Sequence, residues 1–135
     1  HIMFGSIDAW FYRVLAGLSP LLPGWKAVRV RPHALGDLAF VEAALDTVAG
    51  RVAASWRRSA EAFSLEIAIP VGATGEIHVP LLWPGARIVE SGKVLWRAGH
   101  AIDAVPGIDL AGDDAEHAVF KVGSGAYAFE LKKTA

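Results

Sequence analysis

Cysteine is absent from the 135 residues, and with it go disulfides, thiolate metal sites and a cysteine nucleophile. Long apolar runs are absent too. No stretch approaches the roughly 18 uninterrupted apolar residues that a bilayer-spanning helix needs, because the mean hydropathy of +0.37 comes from Ala and Val spread along the chain. An excess of either charge is missing: 13 Lys and Arg face 14 Asp and Glu, a net charge of −1 without runs. Nothing here marks a partner that is nucleic acid or an anionic membrane surface, and neither is expected. The opening lacks the layout of a secretory signal, since residues 1–17 carry Asp8 and Arg13 among aromatics. The GxSxG elbow, the phosphate-cradling P-loop and the dinucleotide GxGxxG are not found. The histidines, His1, His33, His78, His100 and His117, do not show zinc-ligand spacing, so no metal and no cofactor is expected.

What is present is a pattern of short strands. A chain of this length suits one domain that buries roughly 70% of the surface its unfolded form exposes. In AFSLEIAIP, Phe63, Leu65, Ile67 and Ile69 share one face and Ser64, Glu66 and Ala68 the other, the alternation of a half-buried strand. KAVRVRP, GRVAASWRR, GEIHVP, HAVFKV and AYAFEL repeat it, and LAFVEAAL and ARIVESGKVLW are two further candidates. Gly or Pro punctuates nearly every gap. The expected fold is mainly β, an antiparallel β-sandwich of about eight strands. RAGHAIDAVPGIDLAGDDAE, residues 97–116, lacks periodicity and reads as a loop.

Ahead of the strands the period is helical. Ile7, Trp10, Phe11, Val14, Leu15 and Leu18 recur at spacings of three and four, with Ser6 placed to cap the start and Gly17 and Pro20 to end the run. Phe4, Asp8 and Tyr12 form a second stripe on another side. The reading is one N-terminal amphipathic helix with a linker over residues 1–24, then a sandwich over residues 25–135.

Few residues announce chemistry. Asp103, Asp109, Asp113, Asp114 and Glu116 cluster in the aperiodic stretch and offer oxygen ligands to a hard cation. They do not follow the EF-hand pattern, and solvated loop charge is the simpler reading. Trp25, Trp56, Trp83 and Trp96 offer flat rings on which a sugar could stack. Trp56 shares a strand face with Val52 and Ala54, and Trp96 follows Val94, so both read as sandwich interior, whereas Trp83 in the LLWPG turn reads as exposed. Glu42, Asp46, Glu66 and Glu76 fall on the polar side of strand-like segments and read as solvent-facing.

HIMFGSIDAWFYRVLAGLSPLLPGWKAVRVRP resembles the end of the catalytic barrel, and the crossing into the last β-domain, of bacterial α-L-rhamnosidases. The resemblance rests on His1, Phe4, Gly5, Trp10, Tyr12, the run Leu15-Ala16-Gly17, then Pro20, Pro23-Gly24 and Lys26. Downstream it continues through Thr47, Gly50, Ser55-Trp56, the IPVGATGEIHVP segment, Glu90-Ser91-Gly92 and the closing VGSG with Tyr127 and Phe129. Trp25, Met3 and Gly72 depart from the usual pattern.

The resemblance implies an inverting glycosidase with a six-hairpin α/α barrel, whose two carboxyl groups stand about 6.5–9.5 Å apart to admit a water. In that family both lie in the barrel, so no residue of this chain is assigned to catalysis. His1 matches a histidine that lines the rhamnose pocket and is the one substrate-binding candidate. The implied partners are the catalytic barrel of a parent enzyme and, in the full-length protein, rhamnosyl carbohydrate. A helix stripped of its barrel neighbours would expose large apolar side chains, so self-association through the N-terminal helix is expected. Cytoplasmic and secreted locations both remain open. An alternative reading is an autonomous carbohydrate-binding sandwich that uses exposed aromatics.

Overall fold

A computed structural model describes residues 16–33, 39–114 and 116–133. The strands are β1 (Leu18–Pro20), β2 (Ala27–Val30), β3 (Phe40–Thr47), β4 (Gly50–Arg58), β5 (Ala62–Ile69), β6 (Thr74–Pro80), β7 (Arg87–Glu90), β8 (Lys93–Arg97), β9 (His100–Ala101), β10 (Ile108–Asp113), β11 (His117–Val122) and β12 (Gly125–Lys132). They make a five-stranded sheet in the order β1-β2-β6-β11-β10 and a seven-stranded sheet in the order β3-β4-β5-β12-β7-β8-β9. Strand neighbours are antiparallel except β2 and β6, which run parallel because the chain between them builds β3, β4 and β5 of the other sheet.

The period of two decides what each sheet buries. Register aligns Leu18, Val30, Ile77 and Phe120 in one row across the smaller sheet. Val41, Trp56, Leu65 and Phe129 make the matching row across the larger one. All eight side chains are buried, and the rings of Phe120 and Phe129 meet between the layers with centroids 5.4 Å apart. Trp56 stacks on Phe63 at 5.5 Å. Each such side chain contributes about 1.5–3 kcal/mol by leaving water, so these rows carry the sandwich. Trp56 and Trp96 are both interior, as their spacing indicated.

Two expectations are corrected. The described residues form twelve strands rather than about eight. ARIVESGKVLW, counted as one segment, supplies two strands because the ESGK punctuation within it is a hairpin turn: Glu90 pairs with Lys93 across Ser91 (φ 49°) and Gly92 (φ 82°), the two left-handed positions that a tight two-residue turn requires. The aperiodic residues 97–116 hold β9 and β10, and β1 and β9 are too short to display a period.

The N-terminal amphipathic helix is the second correction. Among the described residues Ala16 alone is α-helical and no α-helical element follows it; the helical turn at Pro23–Trp25 is of the 3-10 type. Most of the expected helix, residues 1–15, lies outside the described residues. Leu18, the last member of its apolar stripe, opens β1 and pairs with Val30. Gly17, with φ 77°, turns the chain out of any helical path at that point. Among the described residues no helix is long and apolar enough to cross a membrane.

Candidate functional site

His1 lies outside the described residues. Of the other sequence candidates, Glu42, Asp46 and Glu66 are exposed on the strands of the larger sheet. The acidic residues of the 103–116 stretch do not converge on one point. Asp109 pairs with Lys121 in the β10–β11 ladder, Asp113 accepts a hydrogen bond from the indole nitrogen of Trp96 at 2.8 Å, and Asp114 caps the β10–β11 turn. No group of three or more His, Asp or Glu side chains positioned to hold a metal ion occurs among the described residues. Trp83 is half-buried against the core rather than freely exposed.

Glu76 departs from its reading as a solvent-facing residue. The outer face of the smaller sheet carries Arg29, Glu76, Lys121 and Asp109 in one cross-strand row of alternating charge. One step further along, at the end of the sandwich by which the chain reaches β1, the charges gather. His78 Nε2 is 2.7 Å from Glu76 Oε1, and Arg31 Nη1 approaches His78 Nδ1 to 3.5 Å. A guanidinium can only donate, so Nδ1 must be the accepting nitrogen and the Nε2 proton points at the Glu76 carboxylate. Arg31 also reaches Glu116 at 3.9 Å.

His117 stands edge-on to His78 with ring centroids 6.0 Å apart. Burial, then the charges of Arg31 and His78, hold its imidazole below the ordinary value of 6.5. Its Nδ1 is buried without a hydrogen-bond partner among the described residues. Asp114 Oδ1 accepts the backbone N–H of Glu116 at 2.7 Å and of His117 at 2.8 Å. Those bonds stabilise the ionised form and draw its carboxyl below 3.8.

Asp114 also lines a cavity of about 390 Å³ at the same end, between the turn carrying Leu82, Trp83 and Pro84, the β8–β9 turn and the end of β10. Half-buried Trp83 and buried Trp96 line it, and Asp113 holds the Trp96 indole in place. A broader trough of about 590 Å³ lies on the outer face of the larger sheet. There Ala44, Ala53, Ala68 and Ala126 fall in one row across four strands, and side chains this short leave the groove.

Over residues 17–94 the chain matches the family model described as the bacterial alpha-L-rhamnosidase C-terminal domain. The chain belongs to that family. Rhamnosidases are also what the wider comparisons return. An alpha-L-rhamnosidase of Formosa agariphila is 35% identical over 80 residues, which are 59% of this chain and 9% of that protein. The solved alpha-L-rhamnosidase from Dictyoglumus thermophilum superposes with a TM-score of 0.82 at 37% identity, over 98% of this chain and 14% of that one. The Streptomyces avermitilis alpha-L-rhamnosidase, solved with L-rhamnose, gives a TM-score of 0.74 at 26% identity over 98% of this chain and 11% of its own. This rhamnosidase C-terminal domain thus spans about a tenth of the length of the curated relatives it matches.

The cluster of Arg31, Glu76, His78 and His117 in this rhamnosidase domain did not emerge from motif spacing. Its signal was nevertheless present: in KAVRVRP and GEIHVP the charged positions Arg29, Arg31, Glu76 and His78 share the polar side of their strands.

Proposed function

We propose that this rhamnosidase C-terminal domain is the accessory sandwich of a longer inverting glycoside hydrolase that releases terminal α-L-rhamnose. On this reading it supports a catalytic barrel supplied by another part of the polypeptide and performs no hydrolysis itself. The observation that carries the proposal is the superposition of nearly the whole chain on a small share, 14%, of a solved alpha-L-rhamnosidase. On this reading residues 25–135 make up the sandwich apart from β1, and residues 1–24 would connect it to the barrel. β1, at Leu18–Pro20, pins that connection to the smaller sheet through its pairing with β2. His1 would line the rhamnose pocket of the longer protein and hydrogen-bond a sugar hydroxyl. Self-association through an N-terminal helix gains no support from the described residues and forms no part of this proposal.

A second reading, a sandwich that binds carbohydrate on its own account, is favoured by one observation: the cavity shared by Trp83, Trp96 and Asp113.

Hydrolysis of an aryl α-L-rhamnoside tests the first reading. The 135-residue chain alone is expected to show no turnover. The longer protein is expected to hydrolyse the substrate and to lose activity when residues 16–135 are deleted. In that protein His1→Ala is expected to lower kcat/KM roughly tenfold, the loss of one hydrogen bond of about 1.4 kcal/mol. Turnover by the isolated chain that vanishes on one Asp or Glu substitution would overturn the proposal, as would full activity after the deletion.

A further inference from the structure

We infer that the cavity bounded by Trp83, Trp96 and Asp113 is a binding subsite for a neutral sugar, specifically a terminal α-L-rhamnosyl unit. At about 390 Å³ it falls in the size range of small-molecule pockets. Its walls come from three separate turns of the sandwich, so its shape is set by the fold and not by one mobile loop. The Trp83 indole supplies flat apolar surface, the kind that covers the C–H face of a pyranose, and Trp96, buried at 7% exposure, closes the floor beside it. Trp83 is half-buried and packed against the core, which fixes the ring while leaving part of it open.

The polar groups complete the argument. Asp113 Oδ2 is engaged by the Trp96 indole N–H at 2.8 Å, which orients the carboxylate and leaves Oδ1 as an acceptor. Asp114 is oriented in the same way: Oδ1 takes two backbone N–H groups and Oδ2 is left over. Two positioned carboxylates with spare acceptor capacity suit a ligand that presents several hydroxyl donors. Among the described residues no Lys, Arg or His lines the cavity, so none of them would hold a phosphate or a sugar acid there.

A 6-deoxy sugar combines hydroxyl donors with a methyl group that can lie on an indole. The choice of rhamnose among neutral sugars rests on the function proposed above.

The experiment is a titration of the 135-residue chain with methyl α-L-rhamnoside, methyl α-D-glucoside and tetramethylammonium, followed by tryptophan fluorescence and isothermal calorimetry. Saturable binding of the rhamnoside in the millimolar range is expected, at least tenfold tighter than that of the glucoside. Asp113→Asn keeps an acceptor for Trp96 and is expected to weaken binding about tenfold, and Trp83→Ala to weaken it at least as much. Circular dichroism confirms folding, and Trp83→Phe replaces the alanine variant should that one unfold. Glu66→Gln, on the larger sheet's outer face, is expected to leave affinity unchanged. Absence of saturable rhamnoside binding, affinity unaltered by the Trp83 and Asp113 variants, or preference for tetramethylammonium or the glucoside would each overturn the assignment. Aryl rhamnoside hydrolysis by the longer protein carrying Asp113→Asn reads the accessory role separately, so either reading can fail without the other.

Discussion

Phe120 of the smaller sheet and Phe129 of the larger one lie with ring centroids 5.4 Å apart and planes tilted by 32°, a contact between the two layers of the sandwich. Each ring belongs to a row of buried side chains that crosses four strands of its own sheet. Removing one ring therefore opens a void between layers that neither sheet can close by itself. Phe129→Ala is expected to destabilise the chain by about 3–5 kcal/mol. Urea unfolding followed by tryptophan fluorescence would show a lower midpoint with an unchanged slope.

Gly17 is sealed against the backbone of Arg31. Its carbonyl accepts the Arg31 N–H at 2.9 Å, its φ is 77°, and a Cβ added there would fall 1.7 Å from the Arg31 carbonyl oxygen. Gly17→Ala meets both the left-handed penalty and a backbone clash that no rotamer relieves, so the β1–β2 contact has to part. The expected cost is on the order of 3 kcal/mol. Limited proteolysis is expected to cut near Leu18 in the variant at protease levels that spare the parent chain.

How far the residue pattern alone carries differs from element to element. Phe63, Leu65, Ile67 and Ile69 announce β5 because four alternations on one strand cannot be mistaken for a helix. Leu18–Pro20 and His100–Ala101 have no such length to display. Leu18 also falls in phase with the helical run before it, which drew it into the wrong element. The polar cluster was half legible. Alternation placed Glu76 and His78 on one face, and Arg29 and Arg31 on another strand's polar face. That Arg31 lies beside His78 follows from the parallel pairing of β2 with β6, a contact across 47 positions that no local pattern encodes. The Trp96–Asp113 bond likewise joins strands of different sheets.

Glu90 is a carboxylate on the inner side of β7, opposite Phe129 in register and 6% exposed. Its Oε2 accepts the backbone N–H of Ala128 at 3.2 Å, a donor just past the last β7–β12 pair. Glu90→Gln keeps an acceptor in place and is expected to change stability by less than about 0.5 kcal/mol. Glu90→Ala strands the Ala128 amide and is expected to cost about 1–3 kcal/mol. Hydrogen exchange separates the two, with faster exchange at Ala128 only in the alanine variant.

His117 makes stability depend on pH in a direction that can be worked out. Its imidazole is held below 6.5 first by burial and then by Arg31 and His78, against weaker opposing pulls from Asp114 and Glu116. Glu76 faces the same group through its bond to His78. The folded chain therefore binds this proton less readily than the unfolded one. Wherever the unfolded state holds more protons, stability rises with pH. The contribution of a neutral His117 is thus complete above 6.5 and is lost as pH falls from there through the lower folded value. Asp114, drawn down by its two backbone bonds, acts in a separate window: its contribution is present above 3.8 and disappears only in stronger acid. Thermal melts between pH 7.5 and pH 5 are expected to show a falling midpoint in the parent chain. His117→Gln, which cannot titrate, is expected to flatten that slope while leaving the loss at still lower pH in place. A slope of the same size in the variant would assign the effect to another group.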